Sequence, residues 1–173
     1  HACMTAYLFT QVIIWAFLNE GESDDPRATP SYATLAAAFR SRDQSRLVTW
    51  ASDTLEADKG LHLADIVAFN AYPGWYGSNA SAIPAYWRQK AAWARETWPT
   101  KPFLVSETGG GAIVGNHSRE NAAWSEECQR IIDTLAASTV VGNLSRSPIG
   151  GRGDRDSSNT FNLVSRLNSN SSS

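Results

Sequence analysis

The sequence predicts an α/β fold built on a parallel sheet. Short β-branched and aromatic runs alternate with stretches of helical length, the pattern of successive βα units. The 173 residues are 42% apolar and 18% charged, which is a globular rather than a disordered composition. Polar residues stand directly after three of the apolar runs, at Asn19/Glu20, Asn70/Tyr72 and Ser106/Glu107, and strand C-terminal ends are where α/β folds hold ligands. An open doubly wound sheet and a closed barrel both satisfy this pattern. The chain is short of the roughly 250 residues typical of a complete eight-stranded α/β barrel.

Val12–Leu18 is a continuous apolar run, expected as a strand buried on both faces and ending in Asn19-Glu20-Gly21. Pro30-Ser31 signals a helix from about Tyr32 to Arg42, rich in alanine. Leu47–Trp50 predicts a second strand, and Asp65–Phe69 a third that runs out in Asn70-Ala71-Tyr72-Pro73-Gly74. Ile83 to about Trp98 reads as a helix stopped by Pro99, with Trp87 and Trp93 at helical spacing as packing residues. Phe103–Val105 is the next strand, introduced by Lys101-Pro102 and followed by Ser106-Glu107-Thr108 and three glycines. Arg119 to about Ala137 is expected as a helix, and Thr139–Gly142 as the start of one more strand. After Leu144 the texture turns Ser/Asn-rich, with Phe161 its only aromatic residue. The expected organisation is a folded domain over residues 1–144 and a disordered low-complexity tail over 145–173, with an ordered patch at Phe161–Leu167 at most. Arg152-Gly153-Asp154 in that tail reads as a chance tripeptide.

Composition excludes several function classes. Fifteen basic against 17 acidic residues leave a net charge of −2, which argues against a nucleic-acid or anionic-membrane surface. No apolar run approaches the roughly 20 residues of a membrane-spanning helix. Cys3 and Cys128 are too few for a disulfide framework and read as free thiols. His1, His62 and His117 show no metal-ligand spacing, and Gly109-Gly110-Gly111 lacks the spacing and following lysine of a phosphate loop, so no cofactor is expected. The chain opens on His1 without a signal pattern and reads as a fragment, which leaves cytoplasmic, lysosomal and secreted compartments open. The sequons at Asn79, Asn116 and Asn143 matter only in a secreted chain.

Glu20 and Glu107 each end a predicted strand, and parallel strands carry such residues to one rim. Two carboxyl groups so placed suit hydrolysis of a glycosidic bond, in which one assists the leaving oxygen as an acid and the other attacks or activates water. Trp75 and Tyr76 lie on a Pro/Gly turn beyond the third strand, where an aromatic face can stack on sugar C–H surfaces.

These residues carry a resemblance. Val12–Glu20, Val-Ile-Ile-Trp-Ala-Phe-Leu-Asn-Glu, resembles the acid/base strand of glycoside hydrolase family 2, and Lys101–Glu107 resembles its nucleophile strand. Asn70–Tyr76 is similar to the intervening segment of β-glucuronidases. Trp124–Gln129 and Val140–Gly142 also resemble segments of that group, with Cys128 where a tyrosine is usual. The likeness runs from about Val12 to Leu144. It implies a partial (β/α)₈ TIM barrel, roughly its fourth to eighth strands, and a retaining β-glycosidase of the β-glucuronidase or β-galactosidase kind. Glu20 would be the general acid/base and Glu107 the nucleophile, with the carboxyls about 5–5.5 Å apart. Asn19 would bind the hydroxyl beside the anomeric carbon, Tyr72 would hydrogen-bond Glu107, and Asn70, Trp75 and Tyr76 would complete the sugar site. The implied partner is a β-glycoside, with neither nucleic acid nor membrane, and a homo-oligomer is open for the parent enzyme.

The chain also departs from the pattern. Family 2 enzymes carry β-sandwich domains and three earlier barrel strands with no counterpart in these residues. Ser145-Arg146-Ser147-Pro148 stands where an aromatic-rich continuation belongs, and the Asn-Lys pair that reads a glucuronate carboxylate has no match. Two expectations follow: the 173-residue chain alone is not a competent hydrolase, and the alternative function is a non-catalytic remnant, carbohydrate-binding or structural.

Overall fold

The computed structural model describes residues 12–76 and 79–144. In chain order they form strand β1 (Ile14–Asn19), helix α1 (Thr29–Arg42), strands β2 (Leu47–Ala51) and β3 (Val67–Asn70), helix α2 (Ile83–Thr97), strand β4 (Phe103–Glu107) and helix α3 (Glu126–Leu144). Single 3₁₀ turns occupy Leu55–Ala57, Leu61–Leu63 and Ala80–Ala82. The chain divides into two compact units, the first running through Ala71 and including Trp93–Ser106, the second holding Tyr72–Ala92 and the chain from Glu107 onward.

The first unit carries the sheet. β1 pairs in parallel with β2, with Trp15 opposite Val48. A parallel bridge between Ser52 and Phe69 links the end of β2 to β3, and β3 pairs with β4. Val67 N–H donates to Pro102 at one end of that pair and Ser106 bonds Asn70 at the other, so β3 and β4 also run in the same direction. Helix α1 begins with proline in its first turn and ends with Arg40 and Arg42, as the helix dipole favours. Its buried residues Tyr32 and Ala36 are four apart and face the sheet. Trp15, Ala36 and Val48 form one core cluster, and Tyr32, Trp50 and Ala64 another, with Phe17 packed against both. Two buried indole N–H groups of the sheet find carboxylates: Trp15 donates to Asp43 and Trp50 to Asp58, both at 2.8 Å. Such partners remove the penalty of an unpaired buried donor, about 1–3 kcal/mol.

In the second unit, Ile83 and Trp87 are the buried face of the first half of α2, and Ile132 and Ala136 that of α3. Trp87 thus packs as its spacing predicts, while Trp93 lies in the first unit, 5.9 Å from Phe69 between ring centroids. Ser125 caps α3 by accepting the Cys128 N–H.

Three expectations are corrected. Thr139–Gly142 is helical, within α3, and no strand forms there. Its β-branched residues suggest a strand, but no Pro or Gly interrupts Glu126–Val141, and Thr139 donates its hydroxyl to the Leu135 carbonyl one turn back, an option open to threonine within a helix. The same helix starts at Glu126 rather than Arg119, because Ser125 supplies the cap. β1 is buried on one face only: Trp15 and Phe17 pack against α1 residues Ala36 and Phe39, while Ala16 and Leu18 on the opposite face are exposed. The expectations for the 145–173 tail, Phe161–Leu167, Arg152–Asp154, Cys3 and His1 lie outside the described residues. Cys128 is a free thiol.

Candidate active site

The first unit brings Asn19, Glu20 and Asn70 together. Ala16 lies opposite Thr49 and Asn19 opposite Ala51, so β1 carries one more residue than β2 over this stretch. Such a bulge bends a strand and re-aims the side chains that follow. Glu20 then takes a left-handed backbone, φ 52°, with its N–H held by the Ala51 carbonyl at 2.9 Å. A non-glycine residue there stores about 1–3 kcal/mol of strain, a feature that concentrates at functional sites. A Cβ at Gly21 would meet the Tyr32 hydroxyl at 2.4 Å and Leu18 Cδ2 at 2.5 Å, so a side chain there would force these neighbours to shift.

Asn70, buried at the end of β3, is the centre of this group. Its amide nitrogen donates to Asn19 Oδ1 at 3.0 Å and to Glu20 Oε1 at 2.9 Å. Its own Oδ1 accepts the Ser106 hydroxyl at 2.6 Å. The side chains of Asn19 and Glu20 are exposed beyond this buried amide.

The second unit brings together Tyr72, Trp75, Tyr76 and Glu107. The Tyr72 hydroxyl donates to Glu107 Oε2 in a short contact. Tyr72-Pro73-Gly74-Trp75 is a tight turn, closed by Trp75 N–H on the Tyr72 carbonyl, with Gly74 at φ 86°. Proline followed by glycine suits such a turn. The turn sets out a row of aromatic rings: Tyr72 against Tyr76, Tyr76 against Trp75, and Trp75 edge-on to Trp124 at 4.8 Å. Tyr76 and Trp124 are 77% and 53% exposed, so the row presents free aromatic faces.

Three features of the site were not among the sequence candidates. Ser106 was read only as a polar strand-end residue, and its role depends on the buried amide of Asn70. Trp124 has φ 68°, is held by a parallel bridge to Ala112, and meets Trp75 edge-on through its ring. Gly109–Gly111 allow close approach: a Cβ at Gly109 would meet Asp133 Oδ1 at 2.8 Å, at Gly110 Ile132 at 3.0 Å, and at Gly111 Trp124 at 3.1 Å. The Gly110 N–H bonds Asp133, whose carboxyl is nevertheless held above its ordinary range by burial. Among the described residues no group of three or more His, Cys, Asp or Glu is disposed to hold a metal ion.

Comparison with known proteins places the chain in a family. Residues 9–137 match the family described as Glycosyl hydrolases family 2, TIM barrel domain. The chain is 30% identical over 125 residues to a beta-glucuronidase of Streptococcus agalactiae, which covers 68% of this chain and 21% of that protein. A beta-glucuronidase of Canis lupus familiaris is 30% identical over 144 residues, covering 77% and 22% of the two chains. Among solved structures, a GH2 beta-galacturonidase from Eisenbergiella tayi bound to galacturonate superposes with a TM-score of 0.74 at 28% identity, over 80% of this chain and 25% of that one. The chain thus spans about a fifth of the length of the curated relatives it matches. It belongs to the TIM barrel domain of glycosyl hydrolases family 2.

Proposed function

We propose that Glu20 and Glu107 are the acid/base and the nucleophile of a retaining β-glycoside hydrolase that acts on β-uronides. The observation that carries this reading is that each strand-end carboxylate accepts a hydrogen bond from the end of β3 or just beyond it, Glu20 from Asn70 and Glu107 from Tyr72. The uronide class comes from the relatives, whose names are beta-glucuronidase and beta-galacturonidase. In this reading β1–β4 are four consecutive barrel strands, roughly the fourth to the seventh, and residues 1–144 are the folded part.

The Glu107 carboxylate attacks the anomeric carbon while the departing oxygen takes a proton from Glu20. A covalent glycosyl-enzyme and the free aglycone result. Glu20, now a carboxylate, takes a proton from water, whose oxygen attacks the same carbon and releases Glu107. Two inversions give net retention, and Glu20 ends protonated as it began. Asn19 holds the hydroxyl beside the anomeric carbon, and the Trp75–Tyr76 row stacks on the sugar or aglycone.

In the full-length gene product, Glu107→Gly abolishes turnover of aryl β-glycosides. Glu20→Ala slows substrates with poor leaving groups far more than activated ones, because acid assistance matters least when the leaving oxyanion is stable. Steady-state kinetics on a leaving-group series checks both. Normal rates in both variants on a poor leaving group would overturn the assignment and leave a non-catalytic carbohydrate-binding or structural domain.

A further inference from the structure

Resting on that reading, we propose that Ser106 and Asn70 form a positioning pair that aims Glu20 and Asn19 from one buried amide. A carboxamide has two donor hydrogens on one side and a carbonyl oxygen on the other, and reversing it exchanges them. At Asn70 both hydrogens are engaged, one by Asn19 Oδ1 and one by Glu20 Oε1. A reversed amide would turn its oxygen toward two acceptor oxygens. The Ser106 hydroxyl, donating to Asn70 Oδ1 at 2.6 Å, holds the productive orientation. Serine can rotate its single hydrogen to suit either face, so the bias comes from both partners acting on a side chain that is only 3% exposed.

Two consequences reach the chemistry. Glu20 is fixed through one oxygen, Oε1, which leaves Oε2 to deliver and recover the proton. Asn19 accepts through Oδ1, which turns its NH₂ outward as a donor toward a sugar hydroxyl. Glu20 sits on a left-handed residue after a bulge, so its backbone alone gives little tolerance, and misplacement by about 1 Å is worth on the order of 100-fold in rate. Neither Ser106 nor Asn70 needs to touch the reacting atoms for this; they act through Glu20 and Asn19.

The test uses the full-length gene product with Ser106→Ala, Ser106→Thr and Asn70→Asp. The readout is the ratio of kcat/KM on a glycoside of a poor leaving group to that on a 2,4-dinitrophenyl glycoside. Ser106→Ala lowers this ratio on the order of 10-fold, as loss of the hydrogen bond that orients the Asn70 amide toward Glu20 predicts. Asn70→Asp, isosteric but unable to donate, lowers it further, and Ser106→Thr, which keeps the hydroxyl, restores it. A change that scales both substrates equally, leaving the ratio constant, would mean a packing role only and would overturn the proposal. An unmodified product with no turnover defeats the hydrolase reading instead. Hydrogen exchange at the Asn70 side-chain amide then decides the pair by itself. Exchange that is slow in the unmodified chain and fast in Ser106→Ala supports it; equally fast exchange in both overturns it.

Discussion

Tyr72 and Glu107 show how much one oxygen atom can carry. The phenol donates to one carboxylate oxygen of Glu107, which in the proposed mechanism leaves the other for attack at carbon. Hydrogen bonds to charged groups contribute about 1.5–3 kcal/mol. Tyr72→Phe removes that bond and keeps the ring against Tyr76. Turnover therefore falls on the order of 10-fold or more, while the thermal unfolding midpoint stays near that of the unmodified protein. Kinetics and a melting curve on the same preparation check both halves. An unchanged rate, or loss of the fold, counts against Tyr72 as the orienting group.

Helix α3 and the segment before it are held by charge at the element scale. Glu127 accepts from the Ser118 N–H and from His117, and Glu126 accepts from the Gly115 N–H. The Ser118 amide first, then His117, lowers the Glu127 carboxyl from 4.5 to about 2. The hydrogen bond to Glu127 first, then the charges of Glu126 and Glu127, raises the His117 imidazole above 6.5. A depressed carboxyl contributes stability above its ordinary value and loses it as pH falls toward the folded one. A raised imidazole contributes below its ordinary value and loses it as pH rises through the folded one. Both contributions are present together between 4.5 and 6.5. His117 is well exposed, so the effect is small and fades with salt. The melting-temperature difference between the unmodified protein and His117→Gln at low salt should be largest in that window and shrink above it. A difference independent of pH would remove His117 from this clasp.

The same elements show what the sequence made legible. β2, β3 and β4 lie within two residues of their expected limits, because short β-branched and aromatic runs bounded by Pro, Gly or Asp have few alternatives. Every residue of β3 is buried. The polar residues at the strand ends were also readable, and so was the Tyr72–Glu107 contact through the family likeness. The bulge before Asn19 was not readable, because it is a property of register between two strands. Nor was the left-handed Glu20, beside a glycine whose tight surroundings concern space rather than dihedral angle. Thr139–Val141 was misread because strand propensity is a weak preference, which an already capped helix overrides.

For the molecule as a whole, the decisive quantity is how much of the relatives' length it carries. The curated beta-glucuronidases match it over 19–22% of their own length. In a closed barrel, every edge strand is covered by a neighbour. Here β1 pairs with β2 alone among the described strands, and Ile13, Leu18 and Leu47, at or beside those two strands, are 49%, 37% and 46% exposed. An edge that offers unpaired backbone groups together with apolar side chains is a template for association. The 173-residue chain, expressed by itself, should therefore associate at micromolar concentrations, as light scattering after gel filtration would reveal. Ile13→Lys, which sets a charge beside that edge, should shift the population toward monomer. The chain should also fail to react with a mechanism-based fluoroglycoside. A carboxylate pair needs its opposite wall to exclude water and hold the sugar ring, and looseness of about 1 Å already removes most of the rate. A monomeric chain whose Glu107 is labelled stoichiometrically would show that these residues suffice without further strands.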